Sequence, residues 1–187
     1  MSVIGRPVNT PAAWSLRADG IEDSFAACGW TYQGQKERHA AVIRALGAEP
    51  GDRLLDWGCG TGDLSEWFSR DVNYVGYDSS TGMIIRAARE HPGRIFQSWW
   101  PTGIFDLVAC VGPFNLPSPG GKQDTWHTIR HLWDTTFCRT LVVSLYSGGD
   151  ENCVSYDGAE IAAAGAQMGR PSVDQIRHND LLLTVRR

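Results

Sequence analysis

Short apolar runs alternate along the chain with longer segments in which apolar residues recur every three or four positions. The runs are "DRLLDW", "VNYVGY", "RIFQ", "FDLVACV" and "TLVVSLY", and each reads as a strand. They are apolar nearly throughout rather than at every second position, so the sheet they form needs helices on both faces. The segments with helical spacing lie between and around them. "GQKERHAAVIRALG" places His39, Val42, Ile43 and Leu46 on one face and ends at Gly47, and "DLSEWFSR" turns Leu64, Trp67 and Phe68 inward. "TGMIIRAARE" does the same with Met83, Ile84, Ala87 and Ala88, and "DTWHTIRHLWDTTF" with Trp126, Ile129, Trp133 and Phe137. Strand and helix taking turns in this way predict an α/β fold with a doubly wound, mostly parallel sheet.

The last forty or so positions break the alternation. A small-residue helix, "GAEIAAAGAQMG", ends at Gly169, and "SVDQIRH" and "LLLTVRR" flank Asn179 and Asp180, a gap that fits a tight hairpin. Seven strands with a C-terminal antiparallel hairpin are therefore expected. Residues 1 to about 20, rich in Pro, Gly and polar residues, read as an arm or irregular cover. One domain spanning 1–187 follows, with an N-terminal arm and lid or helix over 1–48 and the core over 49–187.

Composition narrows the class. The chain has 187 residues, 42% hydrophobic and 20% charged, with a formal net charge of −4, values of an ordinary globular domain rather than a disordered or strongly basic one. Its five cysteines show neither a C-x-x-C pair nor zinc-ligand spacing and read as reduced thiols, Cys110 being a small hydrophobe within a strand. His127 and His131 lie at i and i+4 without a third ligand nearby, so a solvated helix face is expected there and no metal. "MSVIGRPVNTPAAWSLRADG" lacks the apolar core of a leader and no stretch is long enough to span a bilayer, which makes the cytoplasm the expected location and a membrane no expected partner.

The candidate chemistry is concentrated in "LLDWGCGTGDL". Gly58, Gly60 and Gly62 stand between a strand and a helix, where they allow a sharp turn and close approach of a nucleotide-like ligand. Asp78 closes the next strand 20 residues after Gly58, the separation at which a carboxylate accepts from ribose hydroxyls. The dinucleotide fingerprint G-x-G-x-x-G is not met, because Asp63 stands where its third glycine belongs. Asp63 and Asp56 would repel a pyrophosphate and suit a ligand with an ammonium group.

"LLDWGCGTG" resembles the first motif of the class I S-adenosylmethionine-dependent methyltransferases, and "YDSSTGMIIRAARE" resembles their second. The resemblance covers residues from about 50 to 147, and the antiparallel ending agrees with that family's Rossmann-like seven-stranded sheet. It implies S-adenosyl-L-methionine as cofactor and methyl transfer as the activity. It further implies that Gly58, Gly60 and Gly62, with Cys59 between them, wrap the methionine part and that Asp56 supports the loop. On the same basis Asp78 holds the ribose, Ser79 and Met83 flank the adenosine, and Val111 completes the pocket from the fourth strand. Where the family commonly carries an acid for the adenine amino group, this chain reads "FQSWW", so Ser98 or a main-chain carbonyl takes that contact. Trp99 packs either on the adenine or in an interhelix crevice.

Methyl transfer from a sulfonium needs alignment and exclusion of water more than a dedicated base. The segment after the fourth strand, "VGPFNL", lacks the polar residue and second proline of amino-directed relatives; Phe114 and Asn115 instead offer a ring and an amide near the methyl, or Asn115 caps the turn before Pro117. Trp30 and Tyr32 either close the acceptor pocket or pack on the first helix, as do Gln35 and Arg38, which could meet the donor carboxylate. The acidic loop "SGGDENCVSYDG" disfavours a phosphate backbone, so a small-molecule acceptor is expected rather than nucleic acid. A donor-binding subunit or sensor without catalysis is the alternative from another class, and a nicotinamide-dependent oxidoreductase ranks third.

Overall fold

The computed structural model describes residues 9–187. Helices α1 (Pro11–Gly20), α2 (Ser24–Ala27) and α3 (Tyr32–Leu46) precede β1 (Arg53–Trp57). Then follow a 3₁₀ helix (Asp63–Trp67), β2 (Asn73–Tyr77), α4 (Thr81–Glu90), β3 (Ile95–Gln97), β4 (Leu107–Val111), α5 (Lys122–Thr136), β5 (Thr140–Tyr146), α6 (Gly158–Ala166), β6 (Arg170–Arg177) and β7 (Asp180–Arg186). The seven strands form one sheet in the order β3-β2-β1-β4-β5-β7-β6. The first five pair in parallel, and β7 runs antiparallel to both β5 and β6. This is the Rossmann-like doubly wound sheet with an antiparallel ending that the apolar pattern predicts.

Every residue of β4 is buried, as are six of the seven in β5, which accounts for their uninterrupted apolar runs. One core lies on the α5–α6 side, around Leu55, Val108, Ile129, Trp133, Leu141 and Leu183. The other lies beneath α3 and the 3₁₀ helix, around Val42, Leu46, Leu54, Leu64, Leu107 and Val142. Full burial of each such side chain contributes about 1.5–3 kcal/mol. Residues 98–106 carry β3 back to β4 without a helix, and Trp100 covers the sheet there, edge-on to Trp57 at 6.1 Å and to Tyr77 at 5.8 Å.

Several expectations need correction. The stretch expected to be an irregular arm holds α1, because Thr10 caps it by accepting from Ala13 N and Pro11 occupies its first turn; the arm's residues 1–8 lie outside the described residues. The glycine loop leads into a 3₁₀ turn rather than an α-helix, and its three-residue period leaves Trp67 45% exposed. Along α4, Ala88 faces out and Arg86 is buried instead, donating to Ala18 O and Ile21 O at 3.2 and 2.5 Å and also to Glu22 O. Phe137 is exposed because it ends α5 in the left-handed conformation, with φ 56°. The hairpin turn is His178–Asn179; Asp180 already belongs to β7, paired with Tyr146.

Candidate functional site

Three glycines determine the backbone at the carboxyl end of β1. Gly58, Gly60 and Gly62 have φ of 81°, 53° and 82°, angles that cost an ordinary residue about 1–2 kcal/mol each. Gly58 N and Cys59 N donate to Tyr77 O at 2.7 and 2.9 Å, which ties the loop to the end of β2. Asp78, just beyond, accepts from Gly60 N at 3.0 Å and from Ser80 N at 2.8 Å. Each of its oxygens keeps a second lone pair. Burial pushes its carboxyl above the ordinary value, and the two N–H donors work against that shift.

Asp56 lies beneath the loop, 2% exposed, and accepts from Tyr74 OH at 2.5 Å. Burial is the main cause that drives its carboxyl up to about 7, opposed by the Tyr74 bond. Asp63 behaves differently. Burial would raise it, yet hydrogen bonds from His91, Ser24 and Gln35 outweigh burial and lower it. Gln35 Nε2 lies 2.7 Å from Asp63 Oδ2, and Thr61 Oγ1 donates to the same oxygen at 3.2 Å. His91 stands 3.5 Å from Asp63 and 3.4 Å from Glu66. Asp63, Glu90 and His91 bring potential ligand atoms within 4.8 Å of one another, but Glu90 is bonded to Arg86 at 2.8 Å and the group reads as an ion-pair network.

Above the loop the N-terminal segment forms a cover. Cys28 Sγ lies 3.4 Å from Thr61 Oγ1 and against Gly60, where a Cβ would meet it at 2.6 Å. Trp30 presses on Gly112 so closely that any side chain at that glycine would collide with the indole. The cover is pinned to α4 by Ser15, whose Oγ lies 2.9 Å from Ser80 Oγ and accepts from Gly82 N at 3.1 Å. Asn9 Nδ2 reaches Pro117 O at 3.4 Å on the opposite bank.

Cover and sheet enclose a cavity of about 610 Å³, ample for a nucleotide-sized ligand with a small partner. Asp56, Gly58, Cys59, Gly60, Asp78, Ser79, Met83, Val111 and Asn115 all line it. Gly62 does not line it; its missing Cβ faces Phe96 and His91 instead. Ser98 and Trp99 are also absent from the lining, Trp99 standing 69% exposed. Phe114 is buried one layer back, stacked on Trp57 with centroids 5.2 Å apart. Asn115 Oδ1 accepts from Tyr146 N at 3.0 Å, which leaves its amide N–H groups on the cavity side. Of the segment ahead of β1, Trp30, Gln35 and Arg38 reach the cavity, whereas Tyr32 is off the lining and packs edge-on to Phe25.

Trp14, Cys28, His39 and Arg177 are among the lining residues that sequence patterns missed. Trp14 belongs to the unexpected α1, and Cys28 gave no local signal. His39 was visible only as an apolar-face residue; burial lowers its imidazole to about 4, so it is neutral. Arg177, at the end of β6, reaches the cavity only because β7 inserts between β5 and β6.

No family model matches the chain. A curated relative, demethylmenaquinone methyltransferase of Beutenbergia cavernae, is 44% identical over 86 residues, 42% of this chain; the matched stretch spans 36% of that protein's length. Among solved structures, magnesium protoporphyrin IX methyltransferase (ChlM) from Synechocystis PCC 6803 with bound SAM aligns with a TM-score of 0.68 at 20% identity, covering 95% of this chain and 91% of its own. The DhpI-SAM-HEP complex aligns with a TM-score of 0.69 at 16% identity, covering 96% of both chains. The fold is that of these S-adenosylmethionine-dependent methyltransferases. No helix among the described residues is long and apolar enough to cross a membrane.

Proposed function

We propose that this chain, which has the class I methyltransferase fold, is an enzyme that transfers a methyl group from S-adenosyl-L-methionine to a small or planar acceptor. The reading is carried by one observation: the glycine loop, Asp78 and Asn115 all line a single cavity. The loop and Asp78 fit the donor, because Asp78 retains free lone pairs for two ribose hydroxyls and the loop exposes backbone without side chains. Asp63, whose carboxyl is held below its ordinary value, suits the ammonium of the methionine part, Asp56 supports the loop from beneath, and Ser79, Met83 and Val111 form the pocket of the adenosine.

When bound, S-adenosylmethionine supplies a methyl activated on sulfonium, which an acceptor lone pair takes in line while the sulfur keeps the bonding electrons and the acceptor's proton passes to water. The residues of this chain contribute alignment and exclusion of solvent. Trp30 and Cys28 close the cavity from above, and Pro113 and Leu116 offer apolar walls. Asn115 orients the acceptor by hydrogen bonding, and Phe114 acts one step removed, by holding Trp57 in place.

Incubation of the purified protein with S-adenosylmethionine and a metabolite mixture is expected to produce S-adenosylhomocysteine above the level without acceptor. Binding of donor without turnover on metabolite or nucleic-acid mixtures would identify the non-catalytic subunit or sensor instead. Phe114→Ala together with Asn115→Ala is expected to lower turnover with donor affinity intact; unchanged turnover would remove both from the acceptor site.

A further inference from the structure

We infer that the acceptor is a carboxylate, a flat and largely apolar acid anchored by Arg38 and Arg177, which line the same cavity as the glycine loop. This rests on the methyltransferase reading and adds the chemical class of its acceptor. The charges on the lining are segregated. By element, Asp56, Asp63 and Asp78 belong to the glycine loop and the strand ends beside it, whereas the two guanidinium groups come from α3 and β6. Each has a carboxylate partner that is not part of the lining. Arg38 Nη2 donates to Asp180 at 2.7 Å and Arg177 Nε pairs with Glu37 at 2.7 Å, so both side chains are held from behind.

Gly34 supplies the independent observation. It lies in the first turn of α3, where glycine costs about 1 kcal/mol relative to alanine. A Cβ built there would overlap Arg177 Nη1 and lie 3.2 Å from Arg38 Nη1. The missing side chain is thus what lets two cations converge from α3 and β6. Each guanidinium carries five N–H donors, more than its rear carboxylate can engage, so an anion held between the two can accept charge-assisted hydrogen bonds. Arg38 also lies over the Trp30 ring at 4.7 Å, with its Nε buried and without a partner among the described residues. Asn115, also on the lining, accepts from Tyr146 N through its oxygen and has its two amide N–H groups as donors. These donors, with the apolar faces of Trp30, Pro113 and Leu116 on the same lining, suit an oxygen anion on a flat apolar body.

The test titrates 1-naphthoate and 1-naphthamide into protein saturated with S-adenosylhomocysteine. The acid is expected to bind roughly tenfold or more tightly than the amide, the worth of one charge-assisted contact. Arg177→Gln is expected to remove most of that preference while leaving the affinity for S-adenosylhomocysteine unchanged, since Arg177 is joined to the fold by a half-exposed ion pair of small worth. Gly34→Ala is expected to keep or raise the Tm yet weaken the acid, because the new methyl displaces Arg177. Glu37→Gln, which removes only the rear partner, is expected to bind the acid as well as or better than the parent. Equal binding of acid and amide, or loss of the acid in Glu37→Gln as large as in Arg177→Gln, would overturn the inference. Failure to bind S-adenosylhomocysteine at all would instead bring down the methyltransferase reading, and the inference with it.

Discussion

Two parts of the cavity are built on different principles. At the glycine loop, backbone does most of the work: Gly58 N, Cys59 N and Gly60 N are fixed by Tyr77 O and Asp78, all within one β1-to-β2 unit. Around Arg38, Arg177 and Asn115 the contacts are made by side chains of α3, β6 and the loop after β4, and each joins residues remote in the chain. A locally encoded half can persist while a long-range half is rebuilt for a new acceptor, which matches the broad use of such folds.

Substitutions in the two parts should therefore separate donor binding from acceptor chemistry. The largest effect is expected from Asp78→Ala. It orphans Gly60 N and Ser80 N and removes the ribose contact proposed for Asp78, so affinity for S-adenosylhomocysteine should fall about a hundredfold by calorimetry. Asn115→Ala should do the reverse: about a tenfold loss in kcat/KM with affinity for S-adenosylhomocysteine within about twofold of the parent. Comparable losses in both quantities for either variant would show that the halves are not independent.

Two smaller effects concern pH within the donor half. Asp56 holds a proton in the folded chain between the ordinary carboxylate value of 3.8 and about 7, where the unfolded chain has released it. Its contribution to stability therefore falls as pH rises across that window and is level above it. Asp56→Asn, whose amide oxygen can still accept from Tyr74, should flatten this slope in denaturant titrations run from pH 4 to 8. His91 has the weaker effect. Burial pulls its imidazole down, but Asp63 and Glu66 outweigh burial and raise it above 6.5. The stabilisation is present below 6.5 and is lost as pH rises through the folded value. With Glu66 68% exposed, His91→Gln should cost about 1 kcal/mol or less near pH 6, and less still at pH 8.

The same contrast explains what could be read from the chain alone. The alternation of strands and helices, the glycine loop and Asp78 were legible because each depends on spacing within a β-α-β unit. Asp63 in place of a third glycine was also legible, and its bonds to Gln35 and Thr61 give that substitution a purpose. The apolar pattern failed where helical period gave way to other geometry: the 3₁₀ turn rotated Trp67 outward, and the left-handed end of α5 did the same to Phe137. Ser98 and Trp99 were placed by analogy with a family contact, and the short helix-free return from β3 to β4 keeps both off the lining. Arg177 had no local signature, since its approach to Arg38 depends on β7 separating β5 from β6. Gly34 was the one available clue, a glycine in the first turn of an otherwise well-patterned helix.

The central claim is that the loop over Gly58–Gly62 and the Asp78 carboxylate together bind a nucleoside with a methionine-like tail. Calorimetric titration of the full chain with S-adenosylhomocysteine, and separately with NAD, tests it most directly. The account predicts saturable one-to-one binding of S-adenosylhomocysteine and no binding of NAD; heat from NAD alone, or from neither compound, would contradict it.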